Sequence, residues 1–216
     1  MYKYFFIIFL LLNSCDLFSM KRECADIEDC APTRKKPRPD ELRISQGIRS
    51  KKVFFISECL LNQNIRAYGV RNMKGEGALA PILECLLSIG AGIHSVSCPE
   101  IAYEGLQRRA CGKCQYCNPR YRAICAEKAR EFVARYKMYL EDGYHVGGFI
   151  CVNGSPSCAI EYCFSGTREG KINERGVFIE ELQRELASQH LRLNFIGIDI
   201  WNLDSAIRKI RHALAE

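Results

Sequence analysis

The stretch VFFISEC at residues 53–59 joins a short apolar run to a polar turn that ends in a cysteine. Its first four residues, Val53–Ile56, are β-branched or aromatic without polar alternation, which is typical of a strand covered on both faces. Three later stretches, at residues 93–96, 146–152 and 193–198, are also interpreted as buried strands. The chain is therefore expected to contain four strands of this kind.

Helical spacing separates the predicted strands. Apolar side chains recur every three or four residues over 78–87, 120–142 and 176–189, which predicts one helix in each interval. Strands that alternate with helices imply parallel strands joined by right-handed crossovers. We therefore predict an α/β, Rossmann-like fold over residues 53–216, a single domain with an open, mainly parallel sheet and helices on both faces.

The turn after each of the first three predicted strands carries a cysteine, namely Cys59, Cys98 and Cys158. Ligands of open parallel sheets sit beyond the carboxyl ends of the strands, so the three thiols would converge there if the strands are neighbours. Three thiolates can hold a 4Fe-4S cluster and leave one iron open to substrate. Zinc with three sulfurs and one water is the competing occupant. The alternative is that these cysteines only pack as small apolar residues.

Cysteine usage is the most unusual feature of the composition. The chain has 13 cysteines among 216 residues, an odd number in a protein large enough to bury its own core. This argues against a closed disulfide framework and favours metal, cluster or thiol chemistry in a reducing compartment. The net charge of +6 owes much to residues 35–52, where no aromatic residues are interleaved, so no specific nucleic-acid partner is expected.

The first 52 residues are interpreted as two appendages. Residues 1–19 contain the apolar run Phe5–Leu12, which is too short to span a bilayer, and then LNSC, ending at Cys15, which resembles a lipoprotein processing site. One interpretation is an envelope lipoprotein, lipidated at Cys15 and anchored to a membrane. The other is a cytoplasmic protein translated from Met20, which an iron-sulfur site favours. Residues 20–52 are basic and contain prolines, which predicts a flexible linker.

Three segments carry a resemblance to a known family: SECLLN at residues 57–62, CPE at 98–100 with EGL at 104–106, and GSPSC at 154–158. In this order they resemble the signature segments of the 2-thiouracil desulfurase family, and the likeness covers nearly all of residues 53–200. Asn62, Tyr103 and Ala159 depart from the pattern of the characterised enzymes. The chain is therefore more similar to the uncharacterised, desulfidase-like branch, and the substrate stays open.

The resemblance implies an iron-sulfur enzyme of desulfidase type. In such an enzyme Cys59, Cys98 and Cys158 would hold a 4Fe-4S cluster, and sulfur would be removed as sulfide from a thiocarbonyl or thiolated nucleobase-like small molecule. The alternative from another class is a non-catalytic sensor or binding protein that holds zinc or an iron-sulfur cluster. A third possibility is an envelope lipoprotein that has kept the fold and lost the cluster.

Three polar residues near the predicted ligands are candidates for catalysis. Glu100 is the candidate acid–base group, because a carboxylate two residues after a ligand can face the pocket. Ser155 and Ser157 are candidates for positioning. Each serine could equally be a turn residue that bonds its own backbone.

A second group of cysteines lies in the loop at residues 111–125. Cys111, Cys114 and Cys117 are spaced by three, and Cys125 follows in the first turns of the predicted helix. Overlapping Cys-x-x-Cys pairs predict a metal site, occupied by zinc or a second iron-sulfur cluster. A redox dithiol and a loop without a bound cofactor are the alternatives.

Other residues are given structural roles. Cys85 and Cys151 are expected in the core, and His94 is expected to be a structural histidine. Arg108 and Arg109 either contact an anionic substrate or lie in solvent.

Overall fold

The computed structural model of the chain describes residues 49–70 and 77–213. The described residues from Ser50 onward belong to one compact unit. The predicted hydrophobic segment at 1–19 and nearly all of the predicted linker at 20–52 lie outside the described residues. Within the described ranges, no helix is long and apolar enough to cross a membrane.

The chain alternates strands and helices, as the spacing of its apolar residues predicts. The strands are β1 (Lys52–Ser57), β2 (Gly92–Val96), β3 (His145–Val152), β4 (Cys163–Phe164), β5 (Lys171–Ile172) and β6 (Phe195–Ile198). The helices are α1 (Glu58–Leu61), α2 (Ala80–Ser88), α3 (Pro99–Glu104), α4 (Lys113–Tyr116), α5 (Pro119–Glu141), α6 (Val177–Ser188) and α7 (Leu203–His212), with a 3-10 turn at Gln63–Ile65.

The main sheet has four strands in the order β2-β1-β3-β6, and every neighbouring pair is parallel. Phe55 and Phe149 belong to a buried cluster on the face covered by α5 and α6. Phe54 and Ile150 belong to the cluster on the opposite face, which α2 and α7 cover. The predicted α/β fold, with an open parallel sheet and helices on both faces, is confirmed.

Helix α7 and the strand pair β4–β5 are among the elements that were not predicted from the sequence. Helix α7 buries Ala206 and Ile210 against the sheet, and this apolar spacing was a helical signal that the sequence analysis missed. Strands β4 and β5 form a separate antiparallel pair. Strands of two residues are too short to show any periodicity, so no sequence pattern could have predicted them.

Candidate functional site

The sheet order brings the three predicted cysteine turns together. Strand β1 lies between β2 and β3, so Cys59, Cys98 and Cys158 all sit at neighbouring carboxyl ends. A thiolate at Cys59 would raise the pKa of Cys98, and a thiolate at either position would raise the pKa of Cys158. Cys158 is buried, whereas Cys59 and Cys98 are partly exposed. The three thiols therefore form one mutually interacting group.

These thiols are held in their protonated form. Burial raises the pKa of Cys59 to about 11; Arg66 opposes this shift and the Glu100 carboxylate adds to it. Burial, and then Glu100, raise the pKa of Cys98 to about 12. Burial also raises the pKa of Cys158 well above its ordinary value. Because a coordinating thiol loses its proton, metal or cluster binding here would release protons.

Glu100 is the central polar residue of the group, with 8% of its surface exposed. One carboxylate oxygen, Oε2, accepts a hydrogen bond from Arg108 Nε at 3.0 Å. The other, Oε1, accepts from the hydroxyls of Ser157 at 2.8 Å and Ser155 at 3.5 Å. The carboxylate is therefore fixed on one side by a cation and on the other by two hydroxyl groups.

Arg108 is buried, with 6% of its surface exposed, so the interpretation that it lies in solvent is wrong. Besides Glu100, it donates to the Ile65 carbonyl at 2.8 Å and, through Nη2, to Cys98 Sγ at 3.8 Å. A buried guanidinium requires a counter-charge and hydrogen-bond acceptors, and these groups supply both. Arg109 is exposed. Arg108 thus links the candidate acid–base group to one of the predicted ligands.

Ser157 is fully buried and joins Glu100 to Tyr121. Its single hydroxyl proton goes to Glu100 Oε1, so it accepts the hydrogen bond from the Tyr121 hydroxyl. Burial raises the pKa of Tyr121 far above its ordinary value, which keeps that phenol a donor. The structure therefore places Ser157 in a buried chain of donors that ends on the carboxylate, and the alternative of a simple turn residue does not describe it.

Ser155 hydrogen-bonds to the backbone of its own turn, which was one of the two predicted alternatives. Its Oγ accepts from the backbone N–H groups of Ser157 at 3.2 Å and Cys158 at 3.0 Å. The same hydroxyl also lies 3.5 Å from Glu100 Oε1. Ser155 therefore orients the turn that presents Cys158.

The loop that carries Cys158 is docked on the first turn of α6. Val177 N donates to the Pro156 carbonyl at 2.9 Å, and Phe178 N donates to the Ser157 carbonyl at 3.0 Å. The first N–H groups of a helix have no partner within the helix, so the loop carbonyls satisfy donors that would otherwise be orphaned. Helix α6 thereby determines where Cys158 sits.

This docking requires a glycine at position 176. A Cβ on Gly176 would lie 2.2 Å from the Ser157 carbonyl carbon, which is backbone and cannot rotate away. We expect Gly176→Ala to lower the free energy of unfolding by about 1–3 kcal/mol, as overpacking does in well-packed regions. Urea denaturation measures the change. Gly77→Ala is the matched control, because nothing lies within 4 Å of a Cβ at that position. Equal losses in the two variants would contradict the expectation.

Two further residues of the site were missed by the sequence analysis. Glu58 Oε2 accepts a hydrogen bond from Cys98 N at 2.9 Å, which ties the turn after β2 to the turn after β1. Ser57 Oγ is the one buried side-chain polar atom without a hydrogen-bond partner in the described part of the chain. Both residues directly precede Cys59. Their position beside a predicted ligand is the sequence feature that could have identified them as site residues.

The second group of cysteines is not assembled as a metal site. Cys125 is completely buried on the inner face of α5, Cys111 is partly exposed, and Cys114 and Cys117 are exposed. Among residues 49–70 and 77–213, no three or more His, Cys, Asp or Glu side chains are grouped to hold one metal ion. The periodic burial of α5 explains the position of Cys125, which shares a stripe with Tyr121 and Ala129. The structure thus gives no support to the predicted second metal.

The structural roles given to other residues agree with the structure. Cys85 and Cys151 are buried in the core, at 5% and 0% exposure. His94 packs against the Phe55 ring with a centroid distance of 4.8 Å, and its Nδ1 lies 3.3 Å from the Tyr139 hydroxyl. Burial, with the charge of Arg135, lowers the pKa of His94, which favours the neutral ring.

Comparison with known proteins gives remote likenesses. No protein-family model matches the sequence. One curated relative is an uncharacterized protein of Methanocaldococcus jannaschii, 26% identical over 149 residues, which are 69% of this chain and 86% of that protein. Among solved structures, the chain is similar to the 4Fe-4S-dependent thiouracil desulfidase TudS, with 18% identity, a TM-score of 0.43, and coverage of 76% of this chain and 98% of that one. The function of this chain is therefore inferred from its own side chains.

Proposed function

We propose that this chain is a 4Fe-4S-dependent desulfidase that removes sulfur, as sulfide, from a small thiolated molecule such as a thiocarbonyl compound or a thiolated nucleobase. The main support is the convergence of three thiols beside one buried carboxylate at the carboxyl edge of the sheet. Cys59, Cys98 and Cys158 would hold the cluster. Glu100 would act as the acid–base group.

The donor set fits a cluster. Each thiolate of a cluster binds a different iron, so the three sulfurs need not surround one point as the ligands of a single ion do. In the described ranges no three such side chains are grouped around one metal ion, at this site as at the second group of cysteines, so the support for a cluster is the position of the three turns at neighbouring strand ends. Arg108 already donates to Cys98 Sγ, and the unpartnered Ser57 hydroxyl lies two residues before Cys59. Hydrogen bonds to sulfur are one means by which proteins tune such clusters.

The charges around the thiols also suit an anionic group. Arg66 and Arg108 both act electrostatically on Cys59, and each favours its thiolate form. Without these cations, three thiolates in a partly buried site would be strongly destabilised by their mutual repulsion. Arg66 therefore offsets part of the negative charge that a thiolate-bound cluster brings, whereas the charge of Arg108 is shared with Glu100, whose carboxylate opposes ionisation of the thiols.

When bound, the cluster would supply an open iron that acts as a Lewis acid toward the sulfur of the substrate. Replacement of that sulfur by the oxygen of water converts C=S and H₂O into C=O and H₂S. The substrate carbon keeps its oxidation state, so no external reductant is needed. The protein must then take a proton from water and return one to the departing sulfur.

Glu100 would move that proton. Its Oε2 accepts a hydrogen bond from Arg108, whereas Oε1 accepts hydrogen bonds from the two serine hydroxyls. The donor chain from Tyr121 through Ser157 fixes the orientation of the carboxylate. General acid–base assistance of this kind typically contributes about 10²–10⁴-fold to the rate.

Anaerobic purification followed by an activity assay tests the proposal. We expect a brown protein with the iron and sulfide content of one 4Fe-4S cluster per chain, which releases sulfide from 2-thiouracil or a related thiolated compound with water as co-reactant. A colourless protein with stoichiometric zinc would overturn the cluster. A cluster-bearing protein that releases no sulfide from a panel of thiolated bases and thioamides would instead favour the sensor.

The cytoplasm is the compartment that suits this chemistry, because thiols stay reduced there. A mass measurement of the mature amino terminus distinguishes the cytoplasmic protein from a lipoprotein. A chain that starts at Met20 supports the first, and a lipidated Cys15 supports membrane anchoring.

A further inference from the structure

Cys111 and Cys114 form a thiol pair beside the candidate site. After burial itself, the charges of Glu104, Glu100 and Cys114 raise the pKa of the Cys111 thiol. Cys111 and Cys114 are three residues apart: Cys111 directly precedes Gly112, the N-cap of α4, and Cys114 lies in the first turn of that helix. Cys111 packs against the buried cluster under α5 and α6, whereas Cys114 is exposed. One thiol of the pair thus faces the protein and the other faces solvent.

The turn between the two thiols is held by hydrogen bonds at both ends. Gly112 N donates to Gln115 Oε1 at 2.9 Å, and Cys114 N donates to the Ser165 carbonyl at 3.0 Å. The backbones of Gly112 and Gly166 touch, because a Cβ on Gly112 would lie 2.0 Å from Gly166 N. The turn is therefore preorganised.

Lys113, between the two cysteines, anchors the same turn to the body of the protein. Only 8% of its side chain is exposed, and its Nζ lies 2.7 Å from Glu174 and 2.6 Å from Glu180. A nearly buried ammonium is stable only with such partners, so Glu180 ties the turn to α6 and Glu174 ties it to the segment just before that helix. Closing a bond across a turn that is already ordered costs little further conformational entropy.

Cys117 has different surroundings, although it continues the same sequence spacing. Its Sγ lies 4.0 Å from Arg122 Nη2, next to the ion pairs that Arg122 makes with Glu180 and Glu181. A thiolate at Cys117 would also raise the pKa of the buried Cys163 thiol. The neighbours of Cys117 are thus those of α6, whereas the neighbours of Cys111 are those of the candidate site.

We propose that Cys111 and Cys114 are a reversible thiol–disulfide exchange site that reacts with low-molecular-weight disulfides such as glutathione disulfide. The inference goes beyond the proposed desulfidase function and does not depend on it, because no step involves the cluster or its three ligands. The spacing of the pair, its rigid turn and the exposure of Cys114 carry the inference.

The exchange is balanced without any further reagent. The Cys114 thiolate attacks the disulfide RS–SR, which forms a mixed disulfide and releases one RS⁻. The Cys111 thiolate then attacks Cys114 Sγ, closes the intramolecular disulfide and releases the second RS⁻. The two protons lost by the cysteines pass to the two RS⁻ groups. Two protein thiols are oxidised and one external disulfide is reduced.

The test uses the full-length protein, purified anaerobically with its metal content intact and then incubated with excess glutathione disulfide. Trypsin cleaves after Arg109, Lys113 and Arg120, so a bond between Cys111 and Cys114 links peptide 110–113 to peptide 114–120. We expect this linked pair, located at Cys114 by fragmentation, and its disappearance after dithiothreitol. A bond between Cys114 and Cys117 would stay within one peptide and would overturn the proposal.

Matched serine variants complete the test. Cys111→Ser and Cys114→Ser should each lower the yield of disulfide at least tenfold, and Cys117→Ser should leave it unchanged. In the wild-type protein, differential alkylation should show Cys111 and Cys114 protected together after oxidation while Cys117 still reacts, a result that does not depend on variant folding. Loss of the linked pair in Cys117→Ser, or bound zinc that shields all three thiols, would contradict the exchange site and favour a metal site.

Discussion

Replacing Cys98 with serine is expected to abolish cluster binding and, with it, any activity that needs the cluster. Cys98 interacts with the thiols of Cys59 and Cys158 and receives the Nη2 hydrogen bond of Arg108. A serine hydroxyl is not ionised at neutral pH and binds iron far more weakly than a thiolate. Loss of a residue that only hydrogen-bonds to a metal ligand typically lowers metal affinity by about 10–100-fold, so loss of a ligand itself should lower it by at least about 100-fold. Iron and acid-labile sulfide content, with visible absorption, measure the result.

The control for this variant is Cys85→Ser. Cys85 is buried, at 5% exposure, and it belongs to the hydrophobic cluster on the opposite face of the sheet, under α2. The Cys85→Ser variant should lose some stability, because the serine hydroxyl would be buried, and it should keep the full iron content of the wild type. Wild-type iron content in Cys98→Ser would refute the proposed ligand set, as would equal iron losses in the two variants.

The carboxyl edge of the sheet was the part of the site that the sequence could predict. The apolar run Val53–Ile56 and the Gly-Ser-Pro-Ser-Cys turn at 154–158 mark strand ends by local chemistry alone. What the sequence could not supply was the order of the strands. Placement of β1 between β2 and β3 is a property of the crossovers, and convergence of Cys59, Cys98 and Cys158 depends on it.

The hydrogen-bond partners of the site residues could not be predicted from the sequence, for a different reason. Glu58 accepts from the backbone of Cys98, 40 residues later, and Arg108 folds back onto Glu100 across the turn at Gly105. No residue pattern indicates such pairs, because both ends are polar residues of the kind usually exposed. Cys125 shows the opposite error, since closeness in sequence to Cys117 suggested a shared site. Its place on the buried stripe of α5 was the better guide.

Replacing Glu100 with glutamine is expected to remove sulfide release while leaving the cluster in place. Glutamine has the shape of glutamate and can keep the hydrogen bonds with Ser157, but it cannot take up and return a proton. The rate should fall by at least about 100-fold, the lower end for loss of a general acid–base group. Sulfide release under saturating substrate, normalised to iron content, measures the effect. An unchanged rate per cluster would exclude Glu100 from proton transfer.

The same change also removes the counter-charge of Arg108, whose side chain is only 3% exposed. Breaking a buried ion pair at one partner typically costs about 3–5 kcal/mol, so Glu100→Gln should unfold at lower urea concentration than the wild type. The double variant Glu100→Gln with Arg108→Met removes the stranded charge and should recover part of that stability. It should recover none of the activity, because neither side chain can then transfer a proton. If activity returned together with stability, Glu100 would be a structural counter-ion, and proton transfer would have to be assigned to another group of the site.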